Sequence, residues 1–182
     1  GHRAASDPTC GSQNYKEIQR FQMVASANGV DVGDLEVDRA NGPGHSDIAN
    51  AKGYVSCSYT STHEINIEQF SMVSSSNGAD VGDMTLGRVG PAGESSLNHG
   101  YASGWYEQVG APNIIDKFSF APAYASNFVG TLDNGNLAEN SGASATDYGY
   151  CMGGTINGSA PYGSTSIDKW TFAADANSSD VG

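Results

Sequence analysis

Positive charge is scarce in this chain: eight Lys and Arg stand against 20 Asp and Glu in 182 residues, a formal net charge of −12 at pH 7. That balance excludes a nucleic-acid surface, which needs clustered cations to displace counterions from phosphate. Long apolar runs are also missing. No stretch approaches the roughly 18 residues of a membrane-spanning helix, so no membrane insertion is expected. Cysteine is rare, and Cys10, Cys57 and Cys151 form neither a CxxC pair nor an even set. The spacing argues against zinc and against a disulfide framework, and leaves small thiols buried near strand ends. Strong helix formers give way to 24 Gly and abundant Ser and Asn, residues that weaken helix interiors. His2, His45, His63 and His99 share no repeat position and make no HxxxH or HExxH spacing, and no GxSxG occurs. A non-enzymatic protein without a cofactor is expected.

What is present is repetition. Phe21–Arg39 reads FQMVASANGVDVGDLEVDR and returns as FSMVSSSNGADVGDMTLGR at Phe70–Arg88, with 11 of 19 positions identical. Alignment on the aromatic gives IQRF at 18–21, IEQF at 67–70, IDKF at 115–118 and IDKW at 167–170. Ahead of these lie TCGS (9–12), GYVSCS (53–58), GYASGW (100–105) and GYCMGG (149–154). A period near 49 with several turn-bounded strands predicts an all-β array of stacked units. The whole of 1–182 reads as a single repeat domain, with repeats near 1–39, 40–88, 89–136 and 137–182. One four-stranded unit cannot bury both faces alone, and a neighbour on each side supplies the core.

Within a period four strands are expected: AGESSL (92–97), a second through Tyr101, NIIDKFSF with Ile115, Lys117 and Ser119 facing opposite to Ile114, Asp116, Phe118 and Phe120, and a DMTLGR type at 83–88. SNGADVGD is read as the connection before that fourth strand, and the third repeat replaces it with SNFVGTL (126–132). Phe21, Phe70, Phe118 and Trp170 are expected to be equivalent and buried between units. By the same register the last unit ends at Gly182 with a strand of the DLEVDR type and its next turn missing, which predicts either that the segment is a window on a longer array or that another copy of the chain supplies the strand in trans, giving end-to-end assembly.

The order Arg88, Gly93-Glu94-Ser95-Ser96, Gly100-Tyr101-x-x-Gly104 and Ile115-Asp116-Lys117-Phe118 resembles a kelch-type β-propeller repeat. The fuller pattern is similar to repeats in virion and tail-associated proteins of marine bacteriophages, cyanophages included. The resemblance implies a propeller of about four kelch-like four-stranded blades in a virion or extracellular setting. The partners it implies are other copies of the chain, neighbouring virion proteins or a cell-surface glycan. A secreted lectin-like adhesion module of a bacterium is the alternative.

Two residue sets are candidates for binding. Asp31, Asp34, Asp80 and Asp83 recur in N-x-x-D-V-G-D, a spacing unlike an EF-hand loop. Asx turns account for them, with a calcium site as the weaker alternative. The connection between second and third strands changes wholly from copy to copy, yet each version carries a tyrosine: Tyr15, Tyr59, Tyr106 beside Trp105, and Tyr162. In a propeller these emerge on one face, where aromatic rings among Ser, Asn and Gln suit stacking on sugars. Arg39 and Arg88, at equivalent positions, are expected to pair with a neighbouring unit or to stack on a tyrosine.

Overall fold

The computed structural model describes residues 2–4, 15–24, 26–59, 62–104, 113–133, 137–156 and 163–182. Among them there is no helix, and hence none long and apolar enough to cross a membrane. The first sheet joins β1 (His2–Ala4), β2 (Tyr15–Arg20) and β3 (Val30–Arg39). The second runs β4 (Gly44–Asp47), β5 (Lys52–Tyr59), β6 (His63–Ser71) and β7 (Ala79–Asp83) in chain order. The third does the same with β8 (Ala92–Ser95), β9 (His99–Ser103), β10 (Ile114–Ser119) and β11 (Ser126–Thr131). Then follow β12 (Leu137–Ala138), β13 (Ser141–Ser144), β14 (Tyr148–Met152), β15 (Thr155–Ile156), β16 (Ile167–Thr171) and β17 (Ser179–Asp180). Of these, β12 and β15 make a two-stranded ribbon, and β13-β14-β16-β17 form the fourth sheet. All pairings are antiparallel, as short strands joined by tight turns require.

The sheets stack in chain order, and strand alternation sends each face to a different neighbour. Ile115 packs with Tyr101, Cys151 and Trp170 between the third and fourth sheets. Phe118 and Phe120 instead join Tyr54, Ile67 and Met84 between the second and third. Ile18, Val32 and Leu35 meet Val55 and Phe70 between the first and second. The side chains along β10 thus divide as the alternation predicts, even though a bulge between Ile115 and Asp116 interrupts the ladder with β11.

Each aromatic at the end of a third strand covers a glycine on the second. Gly53 pairs with Phe70, Gly100 with Phe118 and Gly149 with Trp170. A Cβ on Gly149 would stand 2.5 Å from Trp170 Cζ2, and one on Gly53 or Gly100 would collide with the phenyl ring opposite. The glycine of each GY segment is therefore a space requirement: the ring lies flat on the backbone and fills what a side chain would occupy. Phe118 and Trp170 are buried and Phe70 is half-buried. Phe21 corrects the expectation for the first repeat, being 41% exposed. It follows Arg20, the last residue of β2.

The first strands of the last three sheets run side by side with a constant offset. Gly90 N–H donates to Asn41 O at 3.2 Å, and Glu139 N–H to Gly90 O at 3.1 Å. All three residues hold left-handed backbone, with φ of 56°, 63° and 54°. Ser46 N–H donates to Ser95 Oγ, and Ser95 N–H to Ser144 Oγ, each across 49 residues. Outward from this seam, the Asn77 side chain accepts from Asp34 N–H at 3.2 Å and Asn177 from Thr131 N–H at 3.0 Å. The turn of one repeat thereby caps the fourth strand of the one before.

Two further expectations are corrected. In the first repeat the expected DLEVDR text is in strand, within β3, but in the second and third the fourth strand lies on ADVGD of β7 and SNFVGT of β11, and residues 85–88 lie beyond the ladder. Met84 and Arg88 are buried against the third sheet. In the last sheet the same shift places a fourth strand within the chain: Asp180 and Ser179 of β17 pair with Asp168 and Lys169. That sheet is four-stranded from its own residues.

Candidate functional site

Two arginines occupy equivalent places between sheets. Arg39 is 4% exposed and places Nη2 2.7 Å from Glu68 Oε1, with Nη1 donating to Cys57 O at 2.9 Å. Arg88 is fully buried, its Nη2 2.5 Å from Asp116 Oδ2 and its Nη1 donating to Ala102 O at 2.9 Å and Ile114 O at 3.2 Å. Thr85 Oγ1 also donates to Asp116 Oδ2. The expected pairing of each arginine with a neighbouring unit is what the geometry contains. A buried charge is tolerated only with such partners, so each bridge ties the crossing segment to the next sheet.

The third carboxylate of the series, Asp168, is buried with no arginine beside it among the described residues. Its Oδ1 accepts from Asp133 N–H at 3.1 Å and from Ser178 Oγ at 2.8 Å. The position that aligns with Arg39 and Arg88 is Asn136, outside the described residues.

Burial also sets the chemistry of other groups. His45 sits between Glu94 O and Ser56 Oγ, at 3.1 and 2.8 Å, and burial lowers its pKa to about 4. The equivalent residue one repeat on is Glu94, which accepts from Ser103 Oγ at 2.9 Å and is held well above the usual carboxylate range by burial. Desolvation raises the Cys57 thiol and pushes Cys151 up to about 12, assisted there by the Glu94 and Asp168 charges. These thiols are free and buried, without the thiolate character of a nucleophile.

The recurring aspartates serve the turns. Asp31 Oδ1 accepts from Gly33 N–H at 3.0 Å, and Asp80 Oδ1 from Gly82 N–H at 3.1 Å. Asp180 repeats this with Gly182 at 3.1 Å. Asp34 and Asp83 contribute backbone rather than carboxylate, through Asp34 N–H to Asn77 and Asp83 O from Ser126 Oγ. Among the described residues no three His, Cys, Asp or Glu side chains converge as metal ligands.

Of the tyrosine set, Tyr59 ends β5 with its ring 43% exposed and edge-on to His63, centroids 5.7 Å apart. The backbones of Tyr15 and Tyr59 flank one turn, Tyr15 opposite Arg39 and Tyr59 bridged to Ala40. The Tyr15 side chain, Trp105, Tyr106 and Tyr162 lie outside the described residues.

A cleft that the sequence reading missed opens at the other end of the stack. It encloses about 580 Å³ between the second and third sheets, bounded by the β4–β5, β8–β9 and β10–β11 connections. Gln69 Nε2 donates to Tyr54 Oη at 3.0 Å and Tyr124 Oη at 3.1 Å, and Tyr54 stacks on Phe120 with centroids 4.9 Å apart. Burial lifts the Tyr54 hydroxyl to about 12, which keeps it a neutral donor. Asp47 on the cleft wall accepts from Asn50 N–H at 3.1 Å and from Asn50 Nδ2 at 2.7 Å. The sequence signal was the third repeat's loss of SNG for PAYAS, which puts Ala123 and Tyr124 in left-handed backbone, φ 85° and 42°. Neither a protein-family model nor a curated protein matches the chain.

Proposed function

We propose that the chain is a non-enzymatic structural and binding module, a propeller-like array that holds variable loops at one end of a stacked β frame. The observation that carries this reading is the constant offset of inter-sheet bonds beside loops that share no text. Ser46, Ser95 and Ser144 join across steps of 49 residues. The connections after the second strands differ in length and composition at every copy. A frame that repeats while its loops diverge is a scaffold for recognition. The side-by-side first strands and the single-file order of sheets support radial, propeller-type stacking. Glu68 and Asp116 are committed to arginines, which supports a structural role for the buried acids.

By its repeat pattern the module belongs to a virion or a tail assembly, and its target is a neutral cell-surface glycan. Tyrosine rings with Ser, Asn and Gln beside them provide stacking faces and hydroxyl partners for sugar rings. A glycan array probed with the purified chain tests this, alongside a Trp105→Ala/Tyr106→Ala double variant of unchanged thermal stability. Loss of the array signal in the variant is the expected result. Binding that survives it but is lost with Tyr124→Ala moves the site to the opposite cleft, and no signal with any glycan rejects the recognition reading.

A further inference from the structure

The three internal interfaces follow one rule. Each sheet turns an Ile and a Val from its third and fourth strands toward the next sheet, joined by a Tyr from the second strand in the second and third sheets: Ile18 and Val32 in the first, Tyr54, Ile67 and Val81 in the second, Tyr101, Ile115 and Val129 in the third. Each receiving sheet answers with the aromatic of its third strand, Phe70, Phe118 or Trp170. The backbone follows suit at two of the three interfaces. Gly33 faces Ser76 O and Gly130 faces Ala176 O, each so closely that a Cβ would overlap the carbonyl.

The fourth sheet offers the same donor face to solvent. Tyr150 and Ile167 are half-buried, Val181 is 53% exposed, and a Cβ on Gly182, in register with Gly33 and Gly130, would have only Ile167 Cδ1 within 4 Å among the described residues. At the other end, the first sheet carries the receiving elements in register. Phe21 is 41% exposed, and Ala27-Asn28, equivalent to Ser76-Asn77 and Ala176-Asn177, is exposed.

We infer that the outer face of the fourth sheet is a docking surface for the first sheet of a second copy of this chain, head to tail. The contact continues an interface that the chain already makes three times with the same residue types in the same register. It rests on the reading of the chain as a structural module of stacked sheets, and no strand has to be supplied in trans, since β17 gives the fourth sheet a fourth strand. The contact is heterologous: two copies close into a ring of eight sheets if the rotation allows, and otherwise the stack continues. Copies of net charge −12 repel one another, so added salt strengthens the association by screening.

Sedimentation velocity over a concentration series tests this on the chain as it stands, with Val181→Glu and Phe21→Glu as opposite-face variants. The wild type is expected to grow with concentration, more so at high salt, and each variant to stay monomeric. A mixture of the two variants is the decisive sample. Val181→Glu retains a sound first sheet and Phe21→Glu a sound fourth, so together they form a one-to-one dimer and nothing larger. A wild type that is monomeric throughout, variants that associate like the wild type, or a mixture that stays monomeric overturns the proposal. Near-ultraviolet circular dichroism checks that the variants fold, and Val181→Ser with Phe21→Ser repeats the test if either glutamate variant does not. Glycan binding by monomeric Val181→Glu is read separately, so failure of association leaves the recognition reading standing, and failure of recognition leaves the association result standing.

Discussion

The phenyl ring of Phe118 lies directly against the backbone of Gly100, its cross-strand partner, in the space a Cβ would need. The same glycine–aromatic pair recurs at Gly53–Phe70 and Gly149–Trp170. Each half of the pair explains the other: the ring shields a strand glycine from water, and the glycine lets the ring reach between sheets.

Gly100→Ala is therefore expected to destabilise by about 1–3 kcal/mol, the usual range for overpacking. Phe118→Ala leaves a cavity and is expected to cost about 3–5 kcal/mol, while Phe21→Ala, at an exposed position, stays within about 1 kcal/mol. Urea unfolding of the three variants checks the order. A Phe21→Ala loss as large as that of Phe118→Ala would contradict the assignment of Phe21 to an open face.

The ion pair of Arg88 and Asp116 gives a second contrast. Asp116→Asn leaves the fully buried Arg88 uncompensated and is expected to cost about 3–5 kcal/mol. Asp168→Asn retains an oxygen for Asp133 N–H and Ser178 Oγ and strands no cation, so its cost is expected to stay near 1 kcal/mol. Equal losses in denaturant unfolding would mean that the two carboxylates do the same work, whatever their partners.

The all-β class, the period and the strand alternation were legible because they rest on local text: glycines, turn residues and a two-residue rhythm. The position of the fourth strand was not. ADVGD reads as a turn because Asp80 does make an Asx turn with Gly82, yet the same residues pair with β6 across a bulge. Residues 85–88 lie beyond the ladder and lead to Arg88, whose partner Asp116 is 28 residues downstream, whereas the equivalent residues up to Arg39 stay in β3. The cleft around Gln69 was illegible for a related reason. Its two tyrosines lie 55 residues apart from Gln69 on one side and 15 on the other, in different sheets.

Two buried groups give the stability opposite pH slopes. His45 titrates near 4 when folded against 6.5 in its ordinary state, so the unfolded chain binds the extra proton between those values. Its contribution is present above about pH 6.5 and is lost as pH falls toward 4, on the order of 3 kcal/mol at about 1.4 kcal/mol per unit. Glu94, raised in the folded state from 4.5, binds its proton more tightly when folded, so its contribution is present at low pH and is lost as pH rises through the folded pKa. His45→Gln is expected to remove the loss of stability as pH falls from about 6.5 toward 4, and Glu94→Gln the opposite loss as pH rises above 4.5. A wild-type curve with neither loss, or variants that leave both unchanged, would count against the burial of these groups.

The seam of first strands makes the sharpest test, because one substitution can be placed at three equivalent positions. A Cβ on Gly93 would stand 2.7 Å from Gly44 O, and one on Gly142 would stand 2.5 Å from Gly93 O. Both obstacles are backbone, which cannot rotate away. Among the described residues a Cβ on Gly44 meets nothing within 4 Å. Gly93→Ala and Gly142→Ala are thus expected to prise successive sheets apart at their closest approach, lowering stability by about 1–3 kcal/mol or more. Gly44→Ala is expected to be neutral or stabilising by about 0.5 kcal/mol, since alanine reduces the freedom of the unfolded chain at no steric cost. Thermal unfolding of the three single variants at one pH and salt is enough to decide. If Gly44→Ala is as damaging as the other two in a sample that sediments as a monomer, the first strands are not stacked in the order inferred. If it is damaging only where the chain associates, Gly44 has acquired the neighbour that a second copy would bring.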